Sequence, residues 1–488
     1  MGPSRIGSDS LVLAASRFVT YAVSIASSMV LSRALDLHAY GSYAQGAQIV
    51  TVVALVTALG LPDGANYFQN RGLQSRLRQE HVNTVFTLQV AVGVASASLI
   101  LGFQGSIVQY FGNAELGGLL LYLAFRPLLV NLISSLQVLM LSKSRARFLA
   151  VRTIVFAVVK LAVVIIVAVT VKDVRWVFGA MLLMDLVTSV WFWLAFGRDD
   201  FALRLVLPRG PVLRPIVSLC LPMGIFVAFS SLSREVGKLV VGGRASVEEY
   251  AIYANAATPL PFDLVASSFL VVMIPVLTSS LSAGALSDSR ELLRHYLILG
   301  YITTGSLIAA CLAVAPEALV FLYGDAYSEG LPIFQLNLVA SLVQFVSLSL
   351  VLSASGRTRW LMRVAVLSLI ANSVLAAAMF AWMGVVGPAV ASCVVSCITS
   401  GVLFWLGLRV VGGTPWEVLG GRGFVSFVCL SAVLFGGVGL VRWLLAAAHA
   451  SFWVIFLGCG TLYVGASFLM FRGRLFASLR ALNSGEWR

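Results

Sequence analysis

Runs of about 20 consecutive apolar residues recur along most of this 488-residue chain, separated by short polar segments. A helix of that length, rising 1.5 Å per residue, crosses a hydrocarbon core about 30 Å thick. In lipid every backbone N–H and C=O must be bonded internally, so only helices and closed barrels span the bilayer. The alternating pattern of about ten residues that marks a barrel strand is missing. Hydrophobic residues make up 59% of the chain, and mean hydropathy is +0.96. A soluble protein of this length cannot bury so much apolar surface. The sequence therefore reads as an all-α polytopic membrane protein.

Cutting at the polar interruptions gives fourteen expected spans. They lie at 10–34, 40–66, 82–103, 116–141, 148–171, 176–197, 216–241, 250–282, 295–315, 329–353, 360–383, 386–409, 423–444 and 450–471. The first run is too long for a signal-peptide core and no small-residue cleavage site follows it, so it is expected to be a span. Cytoplasmic loops of membrane proteins carry an excess of Lys and Arg. With both termini placed in the cytoplasm, the inside segments collect 23 of the 33 cations, among them Arg71, Arg76, Arg78, Lys143, Arg145 and Arg147. The outside segments hold five: Arg33, Lys172, Arg175, Arg244 and Arg442. A missed or invented span would scramble this alternation, so the asymmetry supports both count and orientation. It also explains the basic stretch SKSRARF at 142–148 as a topological anchor, with no need for a nucleic-acid partner.

That stretch has a near copy at 353–360, SASGRTRW. A shift of 212 lays Arg145 on Arg357, Arg147 on Arg359 and Phe148 on Trp360, and also lays FGNA at 111–114 on YGDA at 323–326. A shift of 210 lays AYGSYAQGA (39–47) on EYAIYANAA (249–257). Landmarks this far apart that agree within two residues mark a duplication. Each copy holds six spans, an even number, so the second re-enters from the same side and the repeats are parallel. The expected organisation is a six-helix lobe at 1–200, a cytoplasmic linker at 201–215, a second six-helix lobe at 216–410, and two further helices with a tail at 411–488. Two such lobes facing across an axis along the membrane normal enclose a central cavity, the layout of an alternating-access transporter.

Five cations fall inside spans: Arg17, Arg126, Lys160, Arg234 and Lys238. Each costs about 2.5–3.5 kcal/mol to insert on translocon scales, so together they require a wet cavity or partners. Arg234 and Lys238 share one helical face at i and i+4. A cationic lumen formed by the five suits an anionic head group, and Arg forks onto phosphate oxygens as Lys does not. The alternative is structural pairing with the acids in spans, Lys160 with Asp185 or Arg234 with Asp263, while Lys238 and Arg17 are also able to snorkel. Pro62, Pro222, Pro259, Pro261 and Pro275 lie in spans as well, where they bend helices and free carbonyls.

Other chemistries lack their residues. No GxxxxGK[ST] phosphate loop is present. The six cysteines stand inside apolar runs as packing residues, and the four histidines are scattered near span ends, so neither metal nor cofactor is expected. No nucleophile–base or paired-carboxylate arrangement stands out, and the outside loops are short, which argues against an enzyme.

The stretches VLSRALDLHAYGSYAQGAQIVTVVALVTALGLPDGANYF (30–68), VVGGRASVEEYAIYANA (240–256) and FLYGDAYSEGLPIFQLNL (321–338) with the following SASGRTRW resemble bacterial polysaccharide flippases. These belong to the multidrug/oligosaccharidyl-lipid/polysaccharide exporter superfamily. The resemblance implies a cytoplasmic-membrane flippase that carries a lipid-linked oligosaccharide, usually on undecaprenyl pyrophosphate, for surface polysaccharides such as lipopolysaccharide. It also implies work beside the polymerase and glycosyltransferases of the same pathway, and it maps a cationic lumen onto Arg17, Arg126, Lys160, Arg234 and Lys238. The competing readings are a cation-coupled multidrug exporter, which needs cavity carboxylates, and a membrane glycan polymerase or ligase.

Overall fold

The computed structural model describes residues 3–141, 146–262, 273, 274 and 276–484. Among these there are helices and turns but no strand. Among the described residues nine helices are long and apolar enough to span a membrane, ten if one bent pair is joined. Three of the fourteen expected spans are matched neither by a single long helix nor by the bent pair among the described residues. The run at 250–282 is described only in part, since 263–272 and 275 lie outside the described residues. The run at 329–353 is interrupted between Leu331–Gln344 and Ser349–Ala354. In the first span, only Phe18–Ala34 enters as a shorter apolar helix. The 54-residue stretch Thr358–Val411 holds two span-length helices, Thr358–Met383 and Gly387–Val411, which pack on each other around a 3-10 turn at Gly384–Val386.

One pair of helices keeps the offset of the expected duplication. Ala146–Val171 and Thr358–Met383 are both 26 residues long, and both ends are offset by 212. The chain parts into two compact units, Met1–Ala254 and Asn255–Arg488. The Gly210–Gly242 helix, which opens the expected second lobe, therefore belongs with the first unit.

In that first unit the helix pair Leu37–Thr57 and Leu61–Asn70 bends by 44°. Gly60 at the bend has φ +67°, a left-handed conformation that glycine adopts without strain, and Pro62 follows in the first turn. Backbone meets backbone there. A Cβ on Gly60 would overlap the carbonyl of Cys220, and one on Gly224 would overlap Leu59. Residues 201–209 are non-helical and run along the Ser75–Gly102 helix as a strap. Their amides donate to side chains of that helix, Arg204 to Asn83 Oδ1 at 3.2 Å and Val206 to Thr87 Oγ1 at 2.9 Å. Leu203 is buried there among Phe192, Phe196 and Ile216.

In the second unit the last two long helices, Arg422–Ala447 and Gly460–Ser484, pack against the Leu286–Ala313 stretch. Polar ties hold them: Ser306 to Ser467 at 2.6 Å, and Arg442 Nε to both oxygens of Glu317 at 3.0 Å. All six cysteines are free thiols, and Cys220, Cys393 and Cys459 are buried as packing residues.

Candidate functional site

Phe178 on the Val174–Asp199 helix is fully buried, and the motif AYGSYAQGA supplies its neighbours. Tyr43 stacks on it with centroids 5.3 Å apart, and a Cβ on Gly46 would collide with its ring, so glycine at 46 is what admits it. Arg126 stands 5.9 Å from the centroid of the same ring. The helix that carries Arg126 restarts after a break at Phe125, with Pro127 in its first turn. The guanidinium is thereby held in the unit's interior, with its side chain 9% exposed.

Seven residues beyond Phe178 on the same helix, Asp185 is buried and meets two cations at once. Arg126 Nε donates to Oδ2 at 3.1 Å, and Lys160 Nζ donates to Oδ1 at 2.5 Å. Three helices, Arg126–Leu141, Ala146–Val171 and Val174–Asp199, each contribute one charge. Two cations share one carboxylate, so the group is net positive when all three are ionised. The two Nη groups of Arg126 bond to nothing else among the described residues, which leaves an unused fork for a phosphate or second carboxylate.

Arg234 is exposed, and its Nη2 donates to Ser231 Oγ at 3.1 Å, one turn back on its own helix. Lys238 lies 3.5 Å from Glu235 at i+3, with both side chains largely buried, so it pairs locally and does not snorkel. Arg17 is carried by the Pro3–Ala34 helix, which packs along Ala146–Val171, and its side chain is outside the described part of the structure. Asp263, the partner weighed for Arg234, is also outside the described residues, as are Lys143 and Arg145 of the basic stretch. Of the five cations, then, Arg126 and Lys160 are brought together. No described hydrogen bond or ion pair joins them to Arg234 or Lys238.

The sequence reading missed a second polar cluster, at the start of the Leu37–Thr57 helix. His38 Nδ1 is 2.7 Å from Glu248 and its Nε2 is 3.8 Å from Glu115. Ser42 donates to Glu115 at 2.9 Å, and Asn113 donates to Ser42 and to Gln45. The signal was available, because the shift of 210 that aligns 39–47 with 249–257 also sets His38 opposite Glu248. His38 and Glu248 precede the spans at 40–66 and 250–282. The hydrogen bond between them is the main reason His38 binds its proton above the usual histidine range and Glu248 loses its proton below the usual carboxylate range.

This arrangement of helices is shared with solved transporters. A lipid II flippase, MurJ, in an inward closed conformation superposes with TM-score 0.66 at 13% identity, covering 95% of this chain and 99% of that one. An inward-facing multidrug resistance MATE family transporter of the MOP superfamily matches with TM-score 0.64 at 16% identity, over 83% and 98% of the two chains. A MOP superfamily transporter from Pyrococcus furiosus, with a binding pocket of reversed polarity, matches with TM-score 0.57 at 15% identity, over 83% and 96%. The fold is that of MOP superfamily membrane transporters. A family model described as polysaccharide biosynthesis protein matches residues 30–332, and the chain belongs to that family. No curated protein matches the sequence.

Proposed function

We propose that the protein is a flippase of the cytoplasmic membrane, moving a lipid-linked oligosaccharide from the inner to the outer leaflet for surface polysaccharide synthesis. The observation that carries this reading is the buried, net-positive Arg126–Asp185–Lys160 group in a chain of the polysaccharide biosynthesis family. A lipid carrier's pyrophosphate is anionic and loses hydration on entering the membrane. Fixed cations replace that hydration, and the free Nη edge of Arg126 matches two phosphate oxygens. When the anion arrives, Asp185 competes with it for both cations. That competition keeps binding weak enough for release, as alternating access requires. Arg17 and Arg234 add positive charge along the route, and Lys238 does so where the anion displaces Glu235 from it. The lobes at 1–200 and 216–410 are the moving parts, with both termini in the cytoplasm and the linker at 201–215 between them. The reading assigns transport and no covalent chemistry, beside a polymerase and glycosyltransferases that make and use the cargo.

The test is complementation of a deletion strain. Arg126→Gln and Arg234→Gln are expected to abolish surface polysaccharide while membrane protein levels stay normal, with intermediates trapped at the cytoplasmic leaflet. Unchanged export by both variants sinks these roles. Drug resistance on overexpression with no glycan phenotype on deletion replaces the reading with that of a drug exporter.

A further inference from the structure

Three interrupted helices meet at one cavity inside the second unit. The Val247–Ala256 helix stops, and residues 259–261, including Pro259 and Pro261, run without helix. The helix from Leu286 opens into a π-turn at Tyr301–Gly305. The helix Leu331–Gln344 ends four residues before Ser349–Ala354 begins. A cavity of about 260 Å³ is lined from all three places, by Phe262, by Thr304 and by Phe345 among others. At membrane depth, broken helix persists only where protein or a wet cavity satisfies the freed groups, and discontinuous helices build transporter binding sites. Thr304 Oγ1 donates to the Phe262 carbonyl at 3.1 Å and so ties two of the breaks together. Phe345 lies so close to Gly300 that a Cβ there would overlap its ring.

The lining selects a chemistry. None of the described lining residues is charged, so a desolvated phosphate finds no counterion among them. Aromatic rings come from Phe262, Tyr296 and Phe345, and neutral polar groups from Gln344, Ser347 and Ser349. The Ser347 and Ser349 hydroxyls bond to no other described residue. Gln344 spends Nε2 on Ser396 at 3.3 Å, which leaves its Oε1 open. A sugar ring offers hydroxyls around its edge and C–H groups on its faces. Neutral donors and acceptors match the edge, and the electron-rich faces of aromatic rings match the C–H groups. The cavity is smaller than the roughly 300–1,000 Å³ of drug-sized pockets, so it holds one ring and not a chain.

We propose that this cavity binds a single sugar residue of the glycan cargo; the assignment rests on the flippase reading above. Binding is measured in nanodiscs with two probes, undecaprenyl pyrophosphate bearing its oligosaccharide, extracted from the host strain, and bare undecaprenyl pyrophosphate. Wild type is expected to prefer the glycosylated lipid by about tenfold or more. Gln344→Leu and the Ser347→Ala/Ser349→Ala double variant each erase roughly three- to tenfold of that preference per lost hydrogen bond, leaving affinity for the bare lipid unchanged. The serine variant removes only hydroxyls that make no described bond, so its fold is retained if Gln344→Leu disturbs packing. Variants that bind both lipids as wild type does, or lose both equally, overturn the sugar site and leave the transport reading standing. Wild type that binds neither lipid overturns both.

Discussion

Asp185→Asn removes the one carboxylate that Arg126 and Lys160 share, with contacts of 3.1 and 2.5 Å. At an effective dielectric of about 20, unit charges ~3 Å apart attract by about 5 kcal/mol before desolvation is counted. Two cations bridged by one carboxylate stand on the order of 5 Å apart and repel by about 3 kcal/mol at the same dielectric. The asparagine variant loses both attractions and keeps the repulsion. Its cost should reach the upper end of the roughly 3–5 kcal/mol that follows removal of one partner from a buried pair. Lys160→Met leaves a neutral Arg126–Asp185 pair and removes the repulsion, and the Lys160 side chain is already 33% exposed. Its cost should be about 1 kcal/mol or less. Arg126→Gln falls between. The sharpest consequence is a sign: adding Lys160→Met to Asp185→Asn should raise stability, because the second change removes the repulsion that the first exposed. Retention of monodisperse protein after heating in detergent, read by size-exclusion chromatography, ranks the four variants. Asp185→Asn melting with wild type, or a double variant less stable than Asp185→Asn, refutes the shared-carboxylate account.

Gly60→Ala and Gly224→Ala each drive a methyl into opposing backbone, with added strain at 60 from its positive φ, so each should cost about 3 kcal/mol or more and collapse the yield of folded protein in detergent. Arg442→Lys keeps the charge but loses the two-pronged contact with Glu317, and should destabilise by about 1–2 kcal/mol, read against Glu317→Gln in a double-mutant cycle. The His38–Glu248 pair gives a pH signature. A raised histidine contributes stability below its unfolded pKa and loses it as pH rises through the folded one. A lowered glutamate contributes above its unfolded pKa and loses it as pH falls through the folded one. The melting difference between wild type and His38→Gln should therefore peak in the mildly acidic range and shrink on both sides. A difference that does not vary with pH counts against the pair.

The spans were legible because 20-residue apolar runs have few alternatives in sequence. The expected duplication rests on loop residues such as Gly324 and Arg357, which keep their spacing from Gly112 and Arg145 while the spans between them drift. The interruption at 345–348 was not legible. FVSL contains neither glycine nor proline, and the break arises where Phe345 turns onto Gly300 beside the π-turn. At the site, the depth of Arg126 and the pairing of Lys160 with Asp185 could both be read. That one carboxylate serves both could not, because it depends on how three nearly uniformly apolar helices are rotated about their axes, and hydropathy does not fix that rotation. Lys238 misled for a related reason, since its partner Glu235 sits three residues away on the same turn.

His38 and Glu248 are 210 residues apart, the same offset that relates the two copies of their motif, and they touch. Wherever two copies of a motif are related by a two-fold axis, a residue in contact with its own counterpart lies on that axis. Two separate, identical chains meeting at such a point must present like to like, histidine to histidine or glutamate to glutamate, and gain nothing from charge. Joining the copies in one polypeptide removes that restriction. Each position is then free to mutate alone, and an opposite-charge clasp becomes available that no symmetric pair of chains is able to encode.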